Sequence, residues 1–226
     1  CQNAARGLGK VTHVIYAAVA EKSNLVEGWH DQEQISLNGQ MLKNLIEPLC
    51  ATAPKLEHIS LLQGAKAYGA HAGFPPQLSA KESAPRVEHD NFYWLPEAYI
   101  REKAAAVGFN WTIFRPQVII GAAWGAAMNP LLPLCAYAAI RREEGKALNY
   151  PGRAMQVGEL VDATLLAEAF HWACQSKQAN NQTFNITNGD VFAWREAWPT
   201  IAQTFGMSAG SAEPIRAQAK LPTKSC

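Results

Sequence analysis

An α/β fold built on a largely parallel sheet is predicted by three features of this 226-residue chain. Short β-branched and apolar runs alternate with segments whose apolar residues recur at helical spacing. Gly and Pro punctuate the joints between them. Strands that alternate with helices connect by crossovers and pair in parallel. The first run, VTHVIYAAVA (11–20), reads as a buried strand. Met41, Leu42, Leu45, Ile46 and Leu49 mark one face of a helix over 34–50, which Pro54 stops. LEHISLLQ (56–63) is the next strand, and Gly64 and Gly69 break the segment after it. Residues 70–90, rich in Pro, His, Ser and charge, form a loop. A helix is expected from about Phe92 to Val107, with Pro96 tolerable only in its first turn and Gly108 closing it.

WTIFRP (111–116) is another strand, ended by Pro116. NPLLPLCAYAAIRREEG (129–145) reads as a helix, LNYPG as a short strand and turn, and VDATLLAEAFHWAC (161–174) as a further helix. TFNITNG (183–189) is strand then turn, and FAWREAWPTIAQTFG (192–206) is the last helix. This order looks like the second half of a doubly wound, Rossmann-like dinucleotide-binding domain. The Gly-rich turn that seats a pyrophosphate on a helix N-terminus belongs to the first half. Gly7 and Gly9 precede a strand instead of following one, so they do not form it. The expectation is a chain truncated at both ends: 1–207 a partial NAD(P)-binding domain with the start of a substrate region, 208–226 a disordered or atypical tail.

Composition narrows the function class. Hydrophobic residues make up 48% and charged residues 17%, enough to fill a core. The formal net charge of +1, with scattered basic residues, argues against nucleic acid and against an anionic membrane. No apolar run approaches the roughly 20 residues that span a bilayer. The first ten residues lack the basic-then-apolar order of a signal peptide. The five cysteines are widely spaced and odd in number, and read as free thiols of a cytoplasmic protein.

Chemistry is expected beyond the carboxyl ends of the strands. Strand 56–63 runs into GAKAYG, which places Lys66 just past its end. The helix that opens near Tyr93 starts at the same edge. An ordinary short-chain dehydrogenase tyrosine has a lysine at the fourth position on; here that position is Glu97, and the next lysine is Lys103. A lysine ammonium near a phenol favours its charged form, and the pair can stabilise charge developing on a carbonyl oxygen. On residues alone, topology is the only support for pairing Lys66 with Tyr93, and Tyr68 is a rival phenol.

HISLLQGAKAYG, NFYW, FRPQVIIG and FNITNGDVFAWREAWPTIAQTFG, in this order, resemble the progesterone 5β-reductase and iridoid synthase-like family. This is an atypical branch of the extended short-chain dehydrogenase/reductases, and the likeness runs from about Val11 to Met207. It implies NADPH-dependent reduction of the C=C bond of enones and enals, a small-molecule substrate and the option of a homodimer. Hydride goes to the β-carbon while tyrosine and lysine hold the enolate oxygen. By the same resemblance Tyr93 and Lys66 are the catalytic pair. It implies cofactor contacts at Ala18 and Val19, at Leu62 and Lys66, at Tyr93, at Pro116 and Ile119, and at Ala126, Ala127 and Met128. Two alternatives stand beside it: a nucleotide-sugar epimerase or dehydratase, which would carry lysine at position 97, and a non-catalytic dinucleotide-binding protein or inactive fragment.

Other groups are set aside. The six histidines show no metal-ligand spacing. Ser60 lies in no G-x-S-x-G elbow. Trp194 and Trp198, four apart, read as packing. Glu97 and Glu102 read as a solvated helix face. Asn38 opens helix 34–50 in a helix-stabilising polar role or in one shared across the superfamily.

Overall fold

The computed structural model describes residues 7–22, 24, 28–74, 79–123, 129–152 and 157–214. Its strands are β1 (His13–Tyr16), β2 (His58–Leu62), β3 (Asn110–Pro116), β4 (Val118–Ile120), β5 (Leu148–Tyr150), β6 (Val157–Asp162), β7 (Gln182–Ile186), β8 (Val191–Ala193) and β9 (Ala209–Ala212). The helices are α1 (Gln32–Thr52), α2 (Trp94–Val107), α3 (Leu131–Glu143), α4 (Ala163–Gln175) and α5 (Trp194–Thr204). The chain divides into two compact units, Cys1–Ile119 with Val161–Thr187, and Ile120–Leu160 with Asn188–Cys226. The break inside 1–207 was not visible as a change of composition.

The first unit is organised by a parallel sheet in the order β1-β2-β3-β7. Side chains alternate across each strand, so two cores form. Ile59, Leu61, Trp111 and Ile113 meet Leu42, Ile46 and Leu49 of α1 and Ile100 and Ala104 of α2. Phe114 meets Leu166, Phe170 and Ala173 of α4. Each fully buried side chain of this size contributes about 1.5–3 kcal/mol, and both faces must be covered for an all-parallel sheet to persist.

Local signals explain the helix ends. Asp31 caps α1 by accepting a hydrogen bond from the Gln34 N–H at 2.8 Å. The helix continues through Pro48 to Thr52, two residues past the expected end. In α2 Pro96 is the third residue, where an N–H would have no partner within the helix, so its lack of one costs nothing. Gly108 ends α2 with φ 99°, a left-handed turn that glycine adopts without strain.

Several sequence expectations shift. Val161 and Asp162 finish a strand, and Asp162 caps α4 by accepting from the Thr164 N–H at 2.7 Å. Val191–Ala193 is a strand antiparallel to β6, so α5 starts at Trp194, not at 192. Residues 209–212, expected to be part of a tail, form β9 and pair in parallel with β5. In this second unit Trp198 is 3% exposed and donates its indole N–H to the Leu148 carbonyl at 2.7 Å. Its ring also packs edge-on against Tyr150. Trp194 stacks on Tyr150, so both tryptophans are packing residues.

Candidate active site

Parallel register brings the carboxyl ends of β2 and β3 level. Leu62 pairs with Phe114, and the Gln63 N–H donates to the Phe114 carbonyl at 2.9 Å. The chain then makes a single turn of 3₁₀ helix over Ala65–Tyr68, closed by Gly69 at φ 77°. Lys66 sits on this turn. Its ammonium lies 4.1 Å from the centroid of the Trp29 ring and 5.9 Å from that of Phe92. Burial lowers its pKa, and the Glu21 carboxylate opposes that shift.

Tyr93 arrives at the same edge as the residue that caps α2. A Cβ placed on Gly64 would stand 3.0 Å from the Tyr93 hydroxyl and 3.4 Å from the Pro116 carbonyl oxygen. Glycine is therefore what lets the phenol oxygen lie against the main chain where β2 and β3 end. Burial first, and then the Glu21 carboxylate, raise the phenol's pKa; the Arg115 guanidinium pulls it the other way. The net effect is upward, so the phenol, already protonated at neutral pH, keeps its proton to a higher pH than an ordinary tyrosine. Glu21 acts through space on both Lys66 and Tyr93.

Asn91 couples the two segments. It is 2% exposed; its amide donates to the Lys66 carbonyl at 3.0 Å, and its side-chain oxygen accepts from the Tyr93 N–H at 3.0 Å. One side chain thus sets the main-chain spacing of both sequence-expected catalytic residues. Sequence reasoning missed it, although the asparagine of NFYW was the available signal. Asn91→Ala is expected to lower the unfolding free energy by about 2–4 kcal/mol, because buried partners lose their bonds. Urea unfolding checks this.

The rival phenol is committed elsewhere. The Tyr68 hydroxyl donates to Asn185 Oδ1 at 2.5 Å, and Asn185 in turn bonds Ala80 and Glu82. Glu97 corrects the expectation of a solvated helix face: its side chain is 16% exposed and 3.1 Å from the Arg115 guanidinium. Ser60 is fully buried between strands, out of reach of any substrate.

The remaining sequence-expected contacts divide. Ala18 and Val19 are exposed in the segment after β1, where Asn38 anchors neighbouring Ala20 through its N–H and its carbonyl, each at 2.9 Å. Asn38 therefore shapes the loop as well as the helix. Leu62 and Pro116 end β2 and β3, next to Gly64 and Tyr93. The Ile119 side chain packs into the second core, which leaves its main chain as the part available to a ligand. Ala126, Ala127 and Met128 lie outside the described residues.

A model of the PRISE-like Rossmann-fold domain matches residues 2–225. The (S)-8-oxocitronellyl enol synthase of Antirrhinum majus is 35% identical over 212 residues, covering 89% of this chain and 52% of its own length. The 3-oxo-Delta(4,5)-steroid 5-beta-reductase of Arabidopsis thaliana is 33% identical over 211 residues, covering 88% and 52%. The chain thus spans about half the length of the curated relatives it matches. Among solved structures, the UDP-glucose 4-epimerase of Thermus thermophilus in complex with NAD superposes with a TM-score of 0.67 at 20% identity. That match covers 96% of this chain and 69% of the epimerase, and at such identity it shows the fold alone. The matched family model and the two relatives agree with the order of motifs read along the chain, and the chain belongs to the PRISE-like Rossmann-fold family.

Proposed function

We propose that this chain is part of an NADPH-dependent reductase of α,β-unsaturated carbonyl compounds, acting on the C=C bond. The observation that carries the reading is the Asn91 clamp, which ties the main chain of Lys66 to that of Tyr93 although no lysine stands at the fourth position past the tyrosine. The two relatives, named as an enol synthase and a steroid 5-beta-reductase, support the substrate class.

The residues present fit the nicotinamide half of the cofactor. The absence of a Cβ at Gly64 lets the Tyr93 hydroxyl lie against the ends of β2 and β3, the strand edge at which the nicotinamide would sit. Ala18, Val19, Leu62, Lys66, Pro116 and the main chain of Ile119 are the groups that would hold it. When bound, NADPH supplies the hydride that the substrate's β-carbon accepts.

The chain's own residues handle the charge that results. As the C=C bond is lost, an electron pair moves toward the carbonyl oxygen. The Tyr93 hydroxyl, protonated in its buried setting, donates to that oxygen, and the Lys66 ammonium stabilises the negative charge there. Proton uptake at the α-carbon then completes the saturated product. The epimerase alternative expects lysine at position 97, where this chain has a carboxylate paired with arginine.

The test is turnover of 2-cyclohexen-1-one with NADPH by the protein that carries this chain, monitored as loss of nicotinamide absorbance. Formation of cyclohexanone in proportion to NADPH consumed is the expected result. NADPH binding without turnover of any enone or enal would reject the reductase reading in favour of a non-catalytic dinucleotide-binding protein.

A further inference from the structure

Three side chains close a triangle behind Tyr93. Arg115, 10% exposed at its side chain, donates from Nε to Gln63 Oε1 at 3.0 Å and from its terminal nitrogen to Glu97 Oε2 at 3.1 Å. Gln63 Nε2 donates to Glu97 Oε2 at 3.0 Å and reaches the Tyr93 carbonyl at 3.5 Å. The triangle thus joins the end of β2, the end of β3 and the first turn of α2. The other oxygen of Glu97 accepts from Arg101 at 2.9 Å. One carboxylate therefore serves two guanidiniums and leaves a net positive charge. Arg101 is 43% exposed at its side chain and screened by water, whereas Arg115 is not.

We propose that Arg115 is the positioning residue that sets the charge at the Tyr93 phenol, and that Glu97 meters how much of that charge the phenol feels. The inference rests on the reading of Tyr93 as the proton donor. A buried arginine cannot lose its proton and is fixed by its planar fork, so the charge it delivers is constant in amount and place. Position 97 thus carries a carboxylate that acts through Arg115. Among the described residues, two charged groups act on the phenol through space: Glu21, from the segment after β1, opposes its ionisation, and Arg115, from β3, favours it. Glu97 of α2 enters through its ion pair with Arg115.

The pair makes a prediction of sign that loosened packing does not. With a polyfluorinated tyrosine incorporated at position 93 of the chain, the phenol titrates within the stable pH range and 19F NMR reads its midpoint without turnover. Arg115→Gln is expected to raise that midpoint by roughly 0.5–1 pH unit, and Glu97→Gln to lower it by a similar amount. Arg115→Lys should return it most of the way to the parent value. Opposite shifts support the proposal, and shifts of the same sign, or none in either variant, overturn it. Where Arg115→Gln does not fold, Glu97→Gln carries the sign test alone, and a midpoint in that variant that rises or stays unchanged overturns the proposal. The midpoint is measurable in a protein that reduces no enone, so failure of the reductase reading is seen separately. In an active protein Arg115→Gln should lower kcat about tenfold, with the KM for NADPH changed by less than about threefold.

Discussion

Tyr93→Phe is expected to lower kcat for NADPH-dependent reduction of 2-cyclohexen-1-one by about 100- to 1,000-fold, the usual cost of removing one donor aimed at a developing oxyanion. The ring stays, so its contact with Phe92, at 4.6 Å between centroids, survives and folding should be little changed. NADPH affinity by fluorescence should remain within a few-fold, because only the hydroxyl is lost. Lys66→Met should cost about 10- to 100-fold, and the double variant less than the product of the two, since both groups serve one oxygen. Wild-type kcat in Tyr93→Phe would remove the tyrosine from the chemistry. An effect confined to KM would make it a binding residue instead. Tyr68→Phe is the control, and its single donor is already bonded to Asn185, so it should alter stability and not the chemical step.

The second large effect is acid destabilisation, and it comes from His58. This residue is 3% exposed within β2. The Thr112 hydroxyl donates to the Ala179 carbonyl at 2.7 Å and so has no further proton to give. The 3.0 Å contact between His58 Nε2 and Thr112 Oγ1 must therefore run from an Nε2–H to the hydroxyl oxygen. Burial first, then the nearby His13 ring, lowers the pKa of His58 to about 4, with Asn180 opposing weakly. The folded value lies below the ordinary 6.5, so the unfolded chain binds the proton more readily. Stability from this group is complete above about pH 6.5 and is lost as the pH falls toward 4. Between pH 7 and pH 5 the linkage amounts to about 2 kcal/mol. His71 adds in the same direction, its pKa lowered to about 4 by burial and then by His89, His30 and Lys66. Urea midpoints at pH 7 and pH 5 measure the loss, and His58→Gln should flatten the dependence. An unchanged slope in that variant would assign the acid sensitivity to other groups.

Much of the fold was legible because it depends on short-range periodicity. Leu42, Ile46 and Leu49 recur at helical spacing, and all three reach the core at 0–1% exposure. HISLL is buried at each of its first four positions with no alternation of exposure, as a strand covered on both faces must be. Strands β4, β6, β8 and β9 were not legible. They have three to six residues, and β6 and β8 pair across a separation of about thirty residues that leaves no local pattern. Asp162 shows the limit well. It caps α4, yet nothing nearby in the sequence said that the preceding residues were a strand and not a helical turn.

The site divides along the same line. Composition, motif order and the absence of lysine four past Tyr93 are one-dimensional facts, and they were sufficient to name the family and to nominate Tyr93 and Lys66. Their relation was not contained in spacing, because residues 66 and 93 are brought to one edge by parallel register and then held by a single buried amide, Asn91. Glu97 was misread for the same reason. On a helix alone it is an exposed carboxylate, and it became a buried ionic junction only when β3 delivered Arg115 beside it. Local chemistry determines which residues can form a helix face, a strand or a cap. Which charges are paired, and therefore which phenol keeps its proton, depends on desolvation and distance, and those exist only once the chain has folded.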